Sequence, residues 1–117
     1  MNENRDEIEK RTVRVHEEVA RLKEEVGLYL EPEKLDDESV PLKPQRVVRE
    51  LQEALPEDAI LFVDVGNSLA WALHYMSFKR HDSFICPFAF LTMGYGISAS
   101  IGGKLAAPDR PVVCIAG

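Results

Sequence analysis

Only two cysteines occur in the 117 residues, Cys86 and Cys114, and each lies in an apolar segment with no His or Cys at metal-ligand spacing. This scarcity argues against a disulfide framework or a zinc site and reads as two buried free thiols in a reducing cytoplasm. The chain also lacks a cluster of Lys and Arg, so a nucleic-acid surface, which needs concentrated positive charge, is not expected. No apolar run approaches the ~20 residues that cross a bilayer, so no membrane partner is expected either. The N-terminus is polar and acidic rather than basic and then apolar, so no signal peptide is visible. Together these absences predict a soluble cytoplasmic protein with room for one small domain at most.

Charge is unevenly spread. Residues 1–58 hold 10 Lys+Arg and 17 Asp+Glu, a net of −7, whereas residues 59–117 hold 4 and 3, a net of +1. The first half is a solvated surface and the second has the composition of an interior. Six of the seven glycines lie at or after Gly66.

In the first half, Ile8, Thr12, Val15, Val19, Leu22 and Val26 recur at spacings of four and three, which predicts an amphipathic helix over 5–26. Asn4 and Glu7 have the form of a capping box, and Gly27 suits the helix exit. The stripe is too short for a coiled coil and is read as a docking face, with self-association as the alternative. Residues 28–43, with Pro32, Pro41 and Asp36-Asp37-Glu38, read as a linker, so residues 1–40 are assigned to helix and linker and 41–117 to a domain. Pro44 opens a further helix with Val47, Val48, Leu51 and Leu55 on its apolar face, and Pro56 ends it.

Ala59–Val63 is a continuous apolar strand running into Asp64-Val65-Gly66. A helix is predicted over 67–76, with Asn67 or Ser68 at its start, then a polar turn at 79–82 and a short strand at 83–86. A helix rich in small residues follows over 93–106, and Val112–Ala116 is a second fully apolar strand. Strands without alternation, separated by helices, indicate a parallel sheet covered on both faces, hence an α/β fold of Rossmann-like type. Two or three strands do not complete such a sheet, and the domain reads as incomplete. Ligands of open parallel sheets bind at the carboxyl ends of the strands.

Small residues in the stretch from Gly96 to Gly103, namely Ala99, Ser100, Gly102 and Gly103, are read as packing positions, while Gly94 lies at a loop-to-helix junction. Gly94-x-Gly96-x-x-Ala99 formally matches a dinucleotide fingerprint. Pro87-Phe88-Ala89-Phe90 precedes it instead of a strand, however, and Asp109 is too close for a ribose carboxylate, so NAD is not expected. Trp71, Phe84, Phe88 and Phe90 are read as core, His74 as packed or at a subunit contact and His81 as a turn residue.

Asp64-Val65-Gly66-Asn67-Ser68, Trp71, the string from Thr92 to Gly102, and Ala106-Ala107-Pro108-Asp109-Arg110 leading into the last strand and Gly117 together resemble the thiamine-diphosphate enzymes around acetolactate synthase. The resemblance covers roughly residues 41–117, the start of the cofactor-binding (PP) domain. It implies that Gly66, Asn67 and Ser68 meet the cofactor diphosphate, since N–H groups at a helix N-terminus suit an anion. It also implies that Met93 holds the bend between the two rings, with its N–H and the Leu91 carbonyl reaching the aminopyrimidine, and that Gly94 belongs to the same seat. Asp64 is expected to orient a loop.

Leu91 stands where the family usually has Gly, Ser98 where it has Pro and Ser100 where it has Ala. The aspartate of the family's Gly-Asp-Gly motif would follow Gly117, so Mg²⁺ ligands are expected only beyond this chain. The activating glutamate would come from the pyrimidine-binding (Pyr) domain or subunit of a partner. The implied function is part of a 2-oxo acid decarboxylase or carboligase, most like acetolactate synthase, in a homo-oligomer, with no catalytic residue in this chain and no turnover by the chain alone. A non-catalytic interaction module derived from a PP domain is the alternative.

Overall fold

The computed structural model describes residues 3–117, which form two compact units, one ending at Pro32 and the other spanning Glu33–Gly117. The first unit is dominated by α1, Glu3–Val26. Its apolar stripe is present, and Ile8, Val15, Val19, Leu22 and Val26 are all exposed. Thr12 faces the same way, but its hydroxyl is turned back on the helix and donates to the Ile8 carbonyl at 2.8 Å. The expected capping box does not mark the helix start, because Asn4 lies inside a helix that already includes Glu3. Gly27 ends α1 as anticipated: it adopts φ +82° and its N–H reaches the Lys23 carbonyl at 3.0 Å.

The second unit is α/β. The segment read as a plain linker contains a short 3₁₀ turn, Pro32–Leu35, before α2, Pro44–Ala54. Pro44 sits in the first turn of α2, where its missing N–H costs nothing. Val48 is buried, Leu51 and Leu55 are half-buried, and Val47 faces outward. β1 is Ile60–Val63, α3 Asn67–Tyr75, β2 Phe84–Ile85, α4 Tyr95–Ala106 and β3 Val112–Ile115. The order is β2-β1-β3, and both pairings are parallel. Leu61 pairs with Phe84 on one side and with Val113 on the other, and Phe62 pairs with Ile85 and Cys114.

β1 is the centre of the core. All four of its residues are buried, which explains the unbroken apolar run, because a strand covered on both faces has no solvent side to mark. Burying side chains of this size contributes roughly 1.5–3 kcal/mol each. α4 packs on the Phe62 face, where a Cβ on Gly103 would lie 2.5 Å from the Phe62 ring and one on Gly96 would lie 3.0 Å from Asp64 Cβ and Cys114 Sγ. The packing reading thus holds for Gly103. It fails for Gly102, which faces open space. β3 is half-buried along its length, as are Cys86 and Cys114, both free. Burial raises the Cys86 thiol pKa.

The aromatic residues correct the expected core. Phe88 and Phe90 are exposed, because they lie in the turn after β2 and not on a strand or helix. The turn is held by its own backbone, with Phe88 N–H donating to Cys86 O and Leu91 N–H to Pro87 O. Phe84 packs on Phe78 with ring centroids 5.4 Å apart. Trp71 is half-buried beside an apolar groove of about 340 Å³ whose lining includes Leu42, Val47, Leu51 and Ile115. His74 and His81 are exposed, and the His74 ring meets Tyr75 edge-on.

At the edge of the sheet where the strands begin, Arg110 ties three segments together. Its Nε donates to the Asp58 carbonyl at 2.7 Å, one terminal nitrogen to Asp82 at 2.7 Å and the other to Ser83 Oγ at 3.1 Å. Lys104 closes the end of α4 by donating to the Pro108 and Arg110 carbonyls. Arg110 and Lys104 therefore act at the edge opposite the candidate site.

Candidate cofactor site

Three parallel strands deliver three connections to one edge of the sheet: residues 64–66 after β1, 86–94 after β2, and 116–117 after β3. Asp64 stands at their junction. It is only 5% exposed, and its Oδ1 accepts the N–H of Val65 at 2.8 Å and that of Gly94 at 3.1 Å. Its own N–H donates to the Ile115 carbonyl. The first acidic residue after the buried strand thus joins the turn into α3 to the turn into α4, the loop-orienting role its position suggested.

The two helices begin alike. Gly66 caps α3 with φ +140°, and Gly94 caps α4 with φ +82° in the left-handed region that favours glycine. Neither glycine has a side chain to cap the first helical N–H groups. Asn67 and Ser68 therefore do not cap α3, contrary to one reading of the sequence, because Gly66 already occupies the cap. The first N–H groups of both helices point along axes whose N-terminal ends carry partial positive charge.

Gly66 and Asn67 are exposed and Ser68 is half-buried. The Ser68 hydroxyl donates to the Gly117 carbonyl at 3.0 Å, and a Cβ on Gly66 would come within 2.7 Å of the same oxygen. The first and third connections therefore meet at Ser68, while the first and second meet at Asp64. On the second connection Met93 is 85% exposed and immediately precedes Gly94, whose N–H is held by Asp64. Leu91 is half exposed and has φ +48°, a left-handed backbone that a residue with a Cβ adopts at a cost of roughly 1–3 kcal/mol. The glycine that the resemblance leads one to expect at this position has a physical reason in that angle.

The six residues singled out from the sequence thus fall into two groups, Gly66-Asn67-Ser68 and Leu91-Met93-Gly94, at one edge of the sheet. The role least legible in the sequence is that of Gly117, since a carbonyl acceptor leaves no side-chain signal. Among the described residues no three His, Cys, Asp or Glu side chains converge, and Asp64 is engaged by backbone N–H groups. No set of side chains among the described residues fits a divalent cation.

Comparison with known proteins gives this edge a context. Residues 64–117 match a family profile described as "Thiamine pyrophosphate enzyme, C-terminal TPP binding domain". These residues belong to the thiamine pyrophosphate enzyme family. The match begins at the junction residue Asp64. A "Probable acetolactate synthase large subunit" of Methanococcus aeolicus is 35% identical over 88 residues, 71% of this chain and 15% of the relative. Its counterpart in Methanocaldococcus jannaschii is 37% identical over 89 residues, with the same two shares. A "Sulfoacetaldehyde acetyltransferase" of Alcaligenes xylosoxydans xylosoxydans is 41% identical over 76 residues, 65% of this chain and 13% of the relative. The chain thus spans 15% or less of the length of these relatives. Relatives whose names give different reactions match it comparably, so membership in the family does not single out acetolactate synthase. No helix among the described residues is long and apolar enough to cross a membrane.

Proposed function

We propose that this edge is one side of a thiamine diphosphate seat, with Gly66, Asn67 and Ser68 taking the diphosphate and Leu91, Met93 and Gly94 the aminopyrimidine. The observation that carries the reading is the bridge from Asp64 Oδ1 to both Val65 and Gly94, which joins the two groups of residues. The chemistry of the site fits an anionic, two-ringed ligand. Two glycine-capped helix starts without side-chain caps offer N–H donors to an anion, and an exposed methionine offers an adaptable apolar surface to a ring.

When bound, thiamine diphosphate supplies an acidic thiazolium carbon and an electron sink for decarboxylating a 2-oxo acid. The chain's own contribution is positioning. Ser68 Oγ would exchange the Gly117 carbonyl for a phosphate oxygen. The Leu91 carbonyl would accept from the ring amine and the Met93 N–H would donate to a ring nitrogen, so that the ring edge is fixed from one short segment. Fixing the two ends of a flexible ligand in one geometry lowers the barrier by restricting its motion before reaction.

The whole enzyme is proposed to be a 2-oxo acid decarboxylase or carboligase of the acetolactate synthase kind, working in the cytoplasm. The partner is a Pyr domain or subunit, within a homo-oligomer. Mg²⁺ is proposed to bind the diphosphate through ligands outside residues 1–117. Titration calorimetry with thiamine diphosphate and Mg²⁺ tests the seat. Saturable binding, weakened by Met93→Ala and by Ser68→Ala, is expected. Absence of binding to the folded chain, or equal affinity for NAD, would overturn the reading.

A further inference from the structure

The geometry points to Asp64 as a positioning residue that couples the diphosphate end of the seat to the aminopyrimidine end; this rests on the proposed cofactor reading. The Asp64 side chain acts on the backbone of the two turns rather than on a ligand. It is almost fully buried, and a single oxygen, Oδ1, accepts both Val65 N–H and Gly94 N–H. Val65 precedes the Gly66 cap of α3, and Gly94 is the cap of α4. One oxygen therefore sets the distance between two helix starts that are 28 residues apart in sequence.

The backing of the joint is equally close-fitting. Gly96 brings α4 so near that a Cβ there would stand 3.0 Å from Asp64 Cβ and 3.1 Å from its nitrogen, and the Asp64 N–H is held by Ile115 O on β3. The carboxylate thus has little room to move, and a shift at one turn is passed to the other. Without it, each turn could still bind its own part of a ligand, but the two parts would no longer be held at a fixed separation.

Asp64→Asn keeps Oδ1 and the shape of the side chain, whereas Asp64→Ala removes the acceptor. Inorganic pyrophosphate occupies only the diphosphate end and thiamine diphosphate occupies both. The ratio of their dissociation constants, measured by calorimetry with Mg²⁺ on the full chain, therefore reads the coupling. Asp64→Ala is expected to weaken thiamine diphosphate by about 10-fold while changing pyrophosphate by less than about 3-fold, and Asp64→Asn is expected to restore most of the difference, an effect the size of one hydrogen bond. A merely structural role would lower both affinities together, and that result would overturn the proposal.

Hydrogen exchange at Gly94 N–H in the absence of ligand separates this inference from the cofactor reading. Protection in the wild type and in Asp64→Asn, with loss in Asp64→Ala, supports the joint. Unprotected Gly94 in the folded wild type overturns it. Should Asp64→Ala fail to fold, scalar coupling from the Val65 and Gly94 amide nitrogens to the Asp64 carboxyl carbon in the wild type decides the point, and its absence overturns the joint. If the joint is seen but thiamine diphosphate does not bind, the cofactor reading has failed and the coupling proposal fails with it. If thiamine diphosphate binds and the ratio does not move, the coupling proposal alone has failed.

Discussion

The ring of Phe62 on β1 occupies the space that a side chain at position 103 of α4 would need: a Cβ on Gly103 would lie 2.5 Å from both Cε2 and Cζ. Because Phe62 is buried on the central strand, neither partner can retreat without opening the core. Gly103→Ala is therefore expected to destabilise the domain by about 1–3 kcal/mol, the usual cost of overpacking. Gly102→Ala, one residue away in open space, is expected to be neutral or stabilising, since alanine is the better helix former. Urea unfolding of the two variants checks the contrast, and equal midpoints would contradict it.

Leu91 holds a left-handed backbone at φ +48° while its side chain is half exposed. Leu91→Gly removes strain of roughly 1–3 kcal/mol and adds a glycine entropy cost of roughly 0.5–1 kcal/mol. A net gain in stability of about 0–2.5 kcal/mol is expected, while Leu91→Val, β-branched, should lose stability. Thermal unfolding of both variants tests the angle, and destabilisation by the glycine would contradict it.

Arg110 holds together the strand-start edge, far from the proposed seat. Its bonds to the Asp58 carbonyl and to Ser83 Oγ, apart from the ion pair, are worth on the order of 1–2 kcal/mol. Arg110→Ala is expected to lower the denaturation midpoint by at least that much while leaving thiamine diphosphate affinity within a factor of about two. A selective loss of affinity without loss of stability would place Arg110 in the seat instead.

Asp82 gives this edge a pH dependence. A hydrogen bond from Arg80, followed by one from Arg110, holds its carboxyl well below the ordinary carboxylate range. A depressed folded-state value means that the unfolded chain binds the proton first as the medium is acidified. The stabilisation is then complete above the unfolded value, near 3.9, and is lost as pH falls from there through the folded value. Asp82→Asn should flatten that acid limb of the stability profile, leaving the slope between pH 5 and 8 unchanged. An unaltered acid limb would contradict the assignment.

The legibility of the fold followed from how each element is buried. β1 was readable because a parallel strand covered on both faces is a continuous apolar run, and β3 shares that apolar continuity although it is only half-buried; Gly27 and Pro44 marked helix boundaries through backbone constraints of their own. Phe88 and Phe90 misled because an aromatic residue signals apolar surface, and only tertiary structure decides whether anything covers it. Asn4 misled for a different reason: a capping pattern is local, and the helix already includes Glu3. In the candidate site the two groups of residues could be named from the sequence through their family resemblance. Their connection through Asp64 Oδ1 could not, because a contact across 30 residues has no periodicity. The Ser68–Gly117 bond has a carbonyl as its acceptor and is invisible for the same reason.

The most direct test of the cofactor seat is an amide-resolved NMR titration of the full chain with thiamine diphosphate and Mg²⁺. The account predicts saturable shifts concentrated at Gly66, Asn67 and Ser68 and, with the same dissociation constant, at Leu91, Met93 and Gly94. Shifts confined to other surfaces, or none at these six residues in a chain whose spectrum is that of a folded protein, would contradict it.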